Sequence, residues 1–202
     1  MSNVTLYGFP ISTYVRTVRI ALAEKGIEHE LLPFAPNTDE MRAINPTGKV
    51  PAFKHEDFVL YETLAIVNYI EEAFEGDSLV PADIKNRALM NQWISYINAC
   101  VFPVLIHEIA LFRFEIKPMD EAVLEAAIPK AKEQLALLEE TLSKADYLAG
   151  DSACLADYFL YPIFAFFGMI PEASMVANYP GLTAWIKRME QRDSVKNSAP
   201  EF

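Results

Sequence analysis

The sequence predicts a small α/β domain followed by an all-helical domain. Strand and helix signals alternate over about the first 75 residues, in the order β-α-β-α-β-β-α. A stretch rich in Gly, Pro, Ser and acidic residues (EGDSLVPAD, positions 75–83) follows, and beyond it strand signals nearly vanish. We therefore predict an α/β domain over residues 1–76, a linker over 77–83 and a helical bundle domain over 84–202.

Each element of the first domain has a local signal. Val4–Tyr7 is a short extended run, and the helical spacing of apolar residues that follows it stops at Gly26. Two apolar runs flank a His-Glu-Asp turn, which is typical of a hairpin. The predicted strands cover 4–7, 28–32, 50–54 and 58–61, and the predicted helices cover 15–25, 39–44 and 62–74. Because a β-α-β crossover gives a parallel pair and a tight turn an antiparallel pair, we expect a mixed sheet.

The second domain shows helical periodicity and few strand signals. The predicted helices cover residues 84–115, 121–143, 155–167 and 181–192. Pro180 suits the first turn of the last helix, where a missing N–H costs no intrahelical hydrogen bond. Pro103, Pro129 and Pro162 lie inside predicted helices, and we expect them to kink or locally break those helices.

Composition and charge exclude several classes of protein. Hydrophobic residues make up 52% of the chain and charged residues 22%, which is typical of a packed globular protein. The formal charge of −11 disfavours nucleic acid and anionic membranes as partners. No basic leader with an apolar run and no apolar stretch of about 20 residues is visible, so we expect a cytoplasmic protein. Two distant cysteines and three scattered histidines form no metal-binding pattern, and we expect no metal.

The first candidate motif is a hydroxyl-bearing loop that leads into the first helix. Ser12 and Thr13 stand where free N–H groups and the positive end of a helix dipole favour an anion, and Arg16 follows one turn later. Either hydroxyl is also a suitable helix N-cap, and Arg16 is also a suitable structural residue. By itself this motif leaves both interpretations open.

The second and third motifs supply backbone groups and charges. In Asn45-Pro-Thr-Gly-Lys-Val-Pro51, two prolines and a glycine impose a defined loop, with either a cis or a trans Val50-Pro51 bond. A cis bond there would expose the Val50 backbone groups, which a ligand's peptide could pair with as an added strand. Glu62 and Thr63 stand where a strand ends and a helix begins, a place that suits either an α-amino acid group or an ordinary helix start.

The order and spacing of these three motifs resemble those of the cytosolic glutathione transferases over essentially the whole chain. The Ser12-x-x-x-Arg16-x-Val18 segment resembles the serine-type classes, phi, theta and their relatives. The Asn45–Pro51 and Glu62-Thr63 segments are similar to the family's cis-proline loop and to its γ-glutamyl-binding pair. One departure is Cys154-Leu-Ala-Asp157, where the family has a capping Ser or Thr, which puts the stability of that helix in question.

The resemblance implies a thioredoxin-like glutathione-binding domain, a helical domain and a homodimer. It implies that glutathione is the co-substrate and that Ser12 donates a hydrogen bond to its sulfur. It also implies that Lys49, Val50, Pro51, Glu62 and Thr63 bind the rest of the tripeptide. The expected reaction is conjugation of the glutathione thiolate to apolar small-molecule electrophiles.

Some alternatives stay open at this point. Tyr7 or Thr13 could replace Ser12 as the sulfur's hydroxyl donor, although the spacing to Arg16 and Val18 favours Ser12. A glutathione-dependent peroxidase and a non-catalytic interaction module are alternative functions. Disulfide chemistry of the glutaredoxin type would need a cysteine near position 12, and the sequence has none there.

Overall fold

The computed structural model describes residues 3–200, and this part of the chain forms two compact units. The first unit contains residues 3–79 together with residues 192–200, and the second contains Val80–Gln191. The boundary after Leu79 falls within the predicted linker. The predicted helical domain includes everything from residue 84 onward, but the segment that begins at Arg192 belongs to the first unit. It does so because it packs and hydrogen-bonds against that unit's first helix.

The first unit is built on a four-stranded mixed sheet, which confirms the predicted α/β fold. Its strands are β1 (Val4–Tyr7), β2 (Glu30–Leu32), β3 (Ala52–His55) and β4 (Phe58–Tyr61). The strand order is β2-β1-β3-β4, with β1 parallel to β2 and antiparallel to β3, and β3 antiparallel to β4. β3 begins two positions later than predicted, so Val50 lies outside the ladder.

The helices of the first unit bury their apolar faces against one another and the sheet. They are α1 (Thr13–Glu24), α2 (Asp39–Ile44), α3 (Thr63–Ala73) and the short α9 (Asp193–Asn197). The largest fully buried side chains of this unit are Leu6, Ile20, Leu22, Met41, Phe53, Ile66 and Ile70. They come from strands and helices alike, so both kinds of element contribute to the buried core of this unit.

The second unit is helical, as predicted. Its elements are α4 (Ile84–Tyr96), two π-helical segments (Ile97–Val101 and Pro103–Ala110), α5 (Leu111–Arg113), α6 (Glu121–Leu142), α7 (Leu155–Phe167), a 3-10 segment (Pro171–Asn178) and α8 (Pro180–Glu190). Pro103 begins a π-helical segment, where the regular hydrogen-bond pattern is already altered. Pro129 and Pro162 lie inside α6 and α7, which continue through them, so an outright break is wrong at both positions, while a kink there stays a prediction.

One helical stretch is long and apolar enough to cross a bilayer by length and composition alone. It runs from Ile84 to Arg113. Its residues Ile97, Val101, Leu105 and Ile109 are fully buried within the second unit. A buried core helix of a folded domain can be equally long and apolar, so this stretch is not assigned to a membrane.

The missing capping hydroxyl at position 154 is replaced by a thiol. The carboxylate of Asp157 accepts hydrogen bonds from the amides of Cys154 (3.0 Å) and Leu148 (3.1 Å) and from Trp185 Nε1 (2.8 Å). Cys154 Sγ lies 3.4 Å from the same carboxylate. Burial raises the pKa of Asp157, while these donors oppose the rise. The start of α7 is therefore capped through Asp157 without the hydroxyl.

A buried ion pair joins the end of α1 to α3 in the first unit. Lys25 Nζ lies 2.8 Å from Glu71 Oε2, and the side chains are 4% and 14% exposed. Glu71 also accepts hydrogen bonds from Ser78 Oγ (2.6 Å) and the Leu79 amide (3.0 Å). Burial by itself would raise the pKa of Glu71, but these hydrogen bonds outweigh it and the pKa is lowered.

We predict that Glu71→Gln lowers the free energy of unfolding at pH 7 by about 1–3 kcal/mol, because charged hydrogen bonds are lost. The carboxylate's folded pKa lies below its unfolded value of about 4.3, so its stabilisation is present above that pH. It is lost as the pH falls through the folded pKa, where the variant should approach the wild type. Urea unfolding across pH 3–8 measures both. Glu72→Gln on the exposed side of α3 is the control, and an equal loss there would contradict the assignment.

Candidate functional site

The strand register brings the three sequence motifs to one edge of the sheet. Tyr7 at the end of β1 lies opposite Ala52 at the start of β3, and Ala52 lies opposite Tyr61 at the end of β4. The loop after β1, the loop before β3 and the turn after β4 therefore leave the sheet side by side. Segments distant in sequence become neighbours because antiparallel pairing aligns the end of one strand with the start of the next.

Gly8 is the point where two of these loops meet. Its amide donates to the Leu32 carbonyl (2.9 Å), and its φ is 153°. A Cβ added there would lie 2.4 Å from Val15 Cγ2 and 3.2 Å from Val50 Cβ. The start of α1 and the loop before β3 therefore approach each other across a residue that has no side chain.

Ser12 is the N-cap of α1, as one of the two interpretations of the sequence held. Its Oγ accepts the Val15 amide at 3.5 Å, at the long limit for a hydrogen bond. Within residues 3–200 its hydroxyl hydrogen has no acceptor. Because a hydroxyl accepts and donates at once, Ser12 can cap the helix and still donate to an anion.

The rival hydroxyls differ from Ser12 in their surroundings. Thr13 is 6% exposed, whereas Ser12 is half-buried. Tyr7 is also half-buried, and its ring packs edge-on against Phe34 at a centroid distance of 5.4 Å. Burial disfavours Thr13 as a donor to a ligand, while Tyr7 keeps enough exposure to remain a rival.

The Val50-Pro51 peptide bond is cis, one of the two forms that the sequence left open. Asn45, which is 1% exposed, holds the preceding loop: its Nδ2 donates to the Lys49 carbonyl (2.7 Å) and its Oδ1 accepts from the Thr47 amide (3.0 Å). In the described chain, neither the amide nor the carbonyl of Val50 has a hydrogen-bond partner. An extended peptide can pair with both of these groups.

Glu62 and Thr63 lie at the start of α3. Glu62 is exposed and adopts a φ of 72° and a ψ of 116°, which is uncommon for a residue other than glycine. Thr63 is buried at the first helical position, next to the free N–H groups of α3. Burial and, to a smaller extent, the charge of Glu62 raise the pKa of Tyr14 on α1.

The charges around this edge suit a zwitterion with an additional anionic group. Lys49 is exposed beside the unpaired Val50, and Glu62 supplies a carboxylate that can bind an ammonium. The amino ends of α1 and α3 offer N–H groups to anions. Within residues 3–200, no group of three or more His, Cys, Asp or Glu side chains is arranged to hold a metal ion.

The residues that support these groups were not predicted from the sequence. Gly8 was recognised only as a strand terminator, although its positive φ and close contacts join two loops. Asn45 was recognised only as part of a motif, although an Asn before a proline in a tight loop often bonds to nearby backbone. Arg16 was predicted to be either part of the site or a structural residue, and its guanidinium donates hydrogen bonds to the 192–200 segment of its own unit.

Comparison with known families gives two matches in this chain. The model of the glutathione S-transferase N-terminal domain matches residues 6–78, and that of the C-terminal domain matches residues 96–193. Among curated relatives, the probable glutathione S-transferase GSTF1 of Oryza sativa subsp. japonica is 30% identical, over 98% of this chain and 96% of its own.

Solved structures agree with these matches. Poplar glutathione transferase F1 is 27% identical and superimposes with a TM-score of 0.88, covering 98% of this chain and 97% of its own. Glutathione S-transferase I from maize, in complex with an atrazine glutathione conjugate, is 29% identical with a TM-score of 0.84. It covers 97% of this chain and 96% of its own.

We predict that Gly8→Ala lowers the free energy of unfolding by about 2–4 kcal/mol, because the new Cβ clashes with Val15 and requires a strained φ. Gly26→Ala is the matched control, since Gly26 also has a positive φ (68°) but no atom lies within 4 Å of an added Cβ. It should lose only the conformational cost of about 1–2 kcal/mol. Urea denaturation compares the two variants, and equal losses would show that the close approach at Gly8 is unimportant.

Proposed function

The chain belongs to the glutathione S-transferase family and is a glutathione transferase, and from this premise we propose that Ser12 holds the glutathione sulfur as a thiolate. The observation that carries the proposal is the capping hydroxyl of Ser12. It stands at the amino end of α1, and within the described residues its hydrogen is not donated to any acceptor. The Val50 amide and carbonyl, which also lack hydrogen-bond partners there, lie at the same end of the sheet.

The other groups at this edge fit the remaining parts of the tripeptide. The amide and carbonyl of Val50, presented by the cis Val50-Pro51 bond, are suited to pair with the cysteinyl residue as a short added strand. Glu62 is suited to the γ-glutamyl ammonium, and Thr63 with the start of α3 to its carboxylate. Lys49 supplies a positive charge in a chain whose formal charge is −11.

The required stabilisation is within the reach of these groups. A thiol with a pKa of about 8.5 is only a few per cent ionised at neutral pH. Lowering that pKa by about two units requires roughly 2.7 kcal/mol. One hydroxyl donor to a charged sulfur contributes about 1.5–3 kcal/mol and a helix terminus about 0.3–1 kcal/mol. Ser12 with α1 can therefore supply the shift without a side-chain base.

In the proposed reaction the glutathione thiolate attacks an electrophilic carbon, a carbon–sulfur bond forms and the leaving group departs with its electron pair. The protein contributes orientation and stabilisation of the anion, and Ser12 is not itself the nucleophile. We assign the chain to the serine-type, phi-like transferases, because plant F-type relatives match along its whole length. An apolar electrophile is proposed because the maize relative binds an atrazine glutathione conjugate.

We also propose that two copies of the chain pair as a homodimer through β4, the outer strand of the first unit's sheet. This surface is different from the end of the sheet where the candidate site lies. Strand β4 is an edge strand, and Phe58, Val59, Tyr61 and the neighbouring Leu64 are 39–48% exposed. An exposed apolar edge strand of this kind tends to associate with another protein chain. A second copy is the occupant we favour, because the family to which the chain belongs is typically dimeric.

We predict that Ser12→Ala raises the pKa of the bound glutathione thiol by about 1–2 units, because the donor to the sulfur is lost. Ultraviolet absorption of the thiolate, titrated against pH in the enzyme–glutathione complex, measures this pKa. The conjugation rate at pH 6.5 should fall about fivefold to fiftyfold, because the ionised fraction of the thiol falls by that factor.

Two further variants separate donation from capping and test the rival hydroxyl. Ser12→Gly removes the hydroxyl without adding a charge, and Gly is itself a suitable N-cap, so stability should fall little while the thiolate is lost. Tyr7→Phe should leave the thiol pKa unchanged. A thiol pKa that stays at the wild-type value in Ser12→Gly, or one that is raised in Tyr7→Phe alone, would overturn the assignment of Ser12.

We predict that Val59→Glu shifts the chain from dimer toward monomer, because each copy would bury a charge in the contact. Sedimentation velocity at micromolar concentration measures the change. Leu137→Glu on α6 is the control, since Val59 and Leu137 are both 40% exposed. A wild-type chain that is already monomeric, or an unchanged mass for Val59→Glu, would contradict the proposed interface.

A further inference from the structure

The helix that carries Ser12 is held along its length by the segment 192–198. Arg192 donates to Glu24 through Nε (2.9 Å) and Nη2 (2.6 Å), and Ser194 Oγ bonds to the same carboxylate. Arg19 donates to the carbonyls of Ser198 (2.9 Å) and Asn197 (3.0 Å). These contacts fix the middle and the end of α1 within the first unit.

The contact nearest the candidate site is made by Arg16. Its side chain is buried, with 8% of the residue exposed, and Nε donates to Ser198 Oγ at 3.2 Å. Its Nη2 donates to the Val195 carbonyl at 3.2 Å, and Ser198 Oγ donates to that same carbonyl at 2.9 Å. The two acceptors are thereby tied to each other, and the planar guanidinium reaches both of them.

The backbone of Arg16 is bonded to Ser12 at the same time. The Arg16 amide donates to the Ser12 carbonyl at 2.9 Å, which is the first helical hydrogen bond of α1. One residue thus links the capping serine through its main chain and the 192–198 segment through its side chain. A displacement of Arg16 would move the first turn, and Ser12 with it.

The amino end of α1 needs such support. The cap bond from Val15 to Ser12 is long, and the first turn has no acidic residue to stabilise it. The first turn of a helix is also where fraying concentrates. A cation in this turn is unfavourable to the helix dipole, so Arg16 does not stabilise α1 by its charge. Its position is better explained by the hydrogen bonds that its guanidinium makes to Val195 and Ser198.

We propose that Arg16 is a positioning residue, which sets the Ser12 hydroxyl and the first free N–H groups of α1 by anchoring them to Val195 and Ser198. The proposal rests on the function assigned above, since it concerns how the thiolate site is kept in place. Arg16 acts through Ser12 and is not assigned a contact with the substrate. The thiol pKa is the quantity that reports the position of the donor.

The test measures the pKa of bound glutathione, the KM for glutathione and kcat in four variants of the full chain. Arg16→Met keeps the aliphatic length but removes the fork, and we expect the ionised fraction at pH 6.5 to fall about threefold to tenfold. Ser198→Ala removes one acceptor from the opposite side, and we expect a smaller change, about twofold, in the same direction. It also tests the proposal if Arg16→Met does not fold.

The other two variants distinguish positioning from charge and from general loosening. Arg16→Lys keeps the charge but cannot reach both acceptors as a fork, so it should restore the ionised fraction only in part. Arg19→Met removes hydrogen bonds to the same segment farther from Ser12, and it should lower stability without moving the thiol pKa. Full restoration by Lys, or an equal pKa change in Arg19→Met, would overturn the positioning role.

Failure of this inference can be told from failure of the proposed function. If the wild-type chain does not bind glutathione, or if Ser12→Ala leaves the thiol pKa unchanged, the function of the site is wrong and Arg16 has nothing to position. If both of those results are as expected but Arg16→Met and Ser198→Ala leave the thiol pKa and kcat at wild-type values, only the role of Arg16 is wrong.

Discussion

The site depends on one constraint, the antiparallel alignment of Tyr7, Ala52 and Tyr61 across three strands. Pairing distances between strands are fixed at about 5 Å, so this register sets how closely the three loops can approach. Gly8 then allows the loop after β1 to reach Val50 without a side chain between them. The segments that carry the proposed tripeptide-binding groups leave the sheet from this edge, which explains how residues between 12 and 63 come to lie near one another.

The groups proposed to bind the anionic co-substrate act at short range, in a chain whose overall charge is negative. Its formal charge is −11, yet its proposed co-substrate is anionic and must become more so when the thiol ionises. The donors are therefore short-range: a hydroxyl, unpaired backbone amides and the amino ends of two helices, with Lys49 beside them. Hydrogen bonds and helix termini act within a few ångströms, whereas the repulsion from distant carboxylates is screened by salt.

Most of the fold could be read from local patterns, and the exceptions have physical causes. The alternation of strands and helices, the mixed sheet and the helical second unit follow from apolar periodicity and turn residues. The π-helical stretch was missed because its longer hydrogen bond changes the apolar period only slightly. Pro129 and Pro162 were expected to kink or break α6 and α7, but both helices continue through them, because tertiary packing outweighs the loss of one hydrogen bond. Cys154 shows that a thiol can stand where a hydroxyl was expected.

By itself the sequence determined the elements of the fold, the hydroxyl before the first helix, the proline loop and the Glu62-Thr63 pair. These are local features, set by turn chemistry and by residues close in the chain. Only the tertiary structure decided that the backbone groups of Val50 have no partner in the described chain and that two loops approach each other at Gly8. It also decided that Arg16 hydrogen-bonds to a segment more than 170 positions later in the sequence. Such relations depend on strand register and on packing between distant segments, which no local pattern encodes.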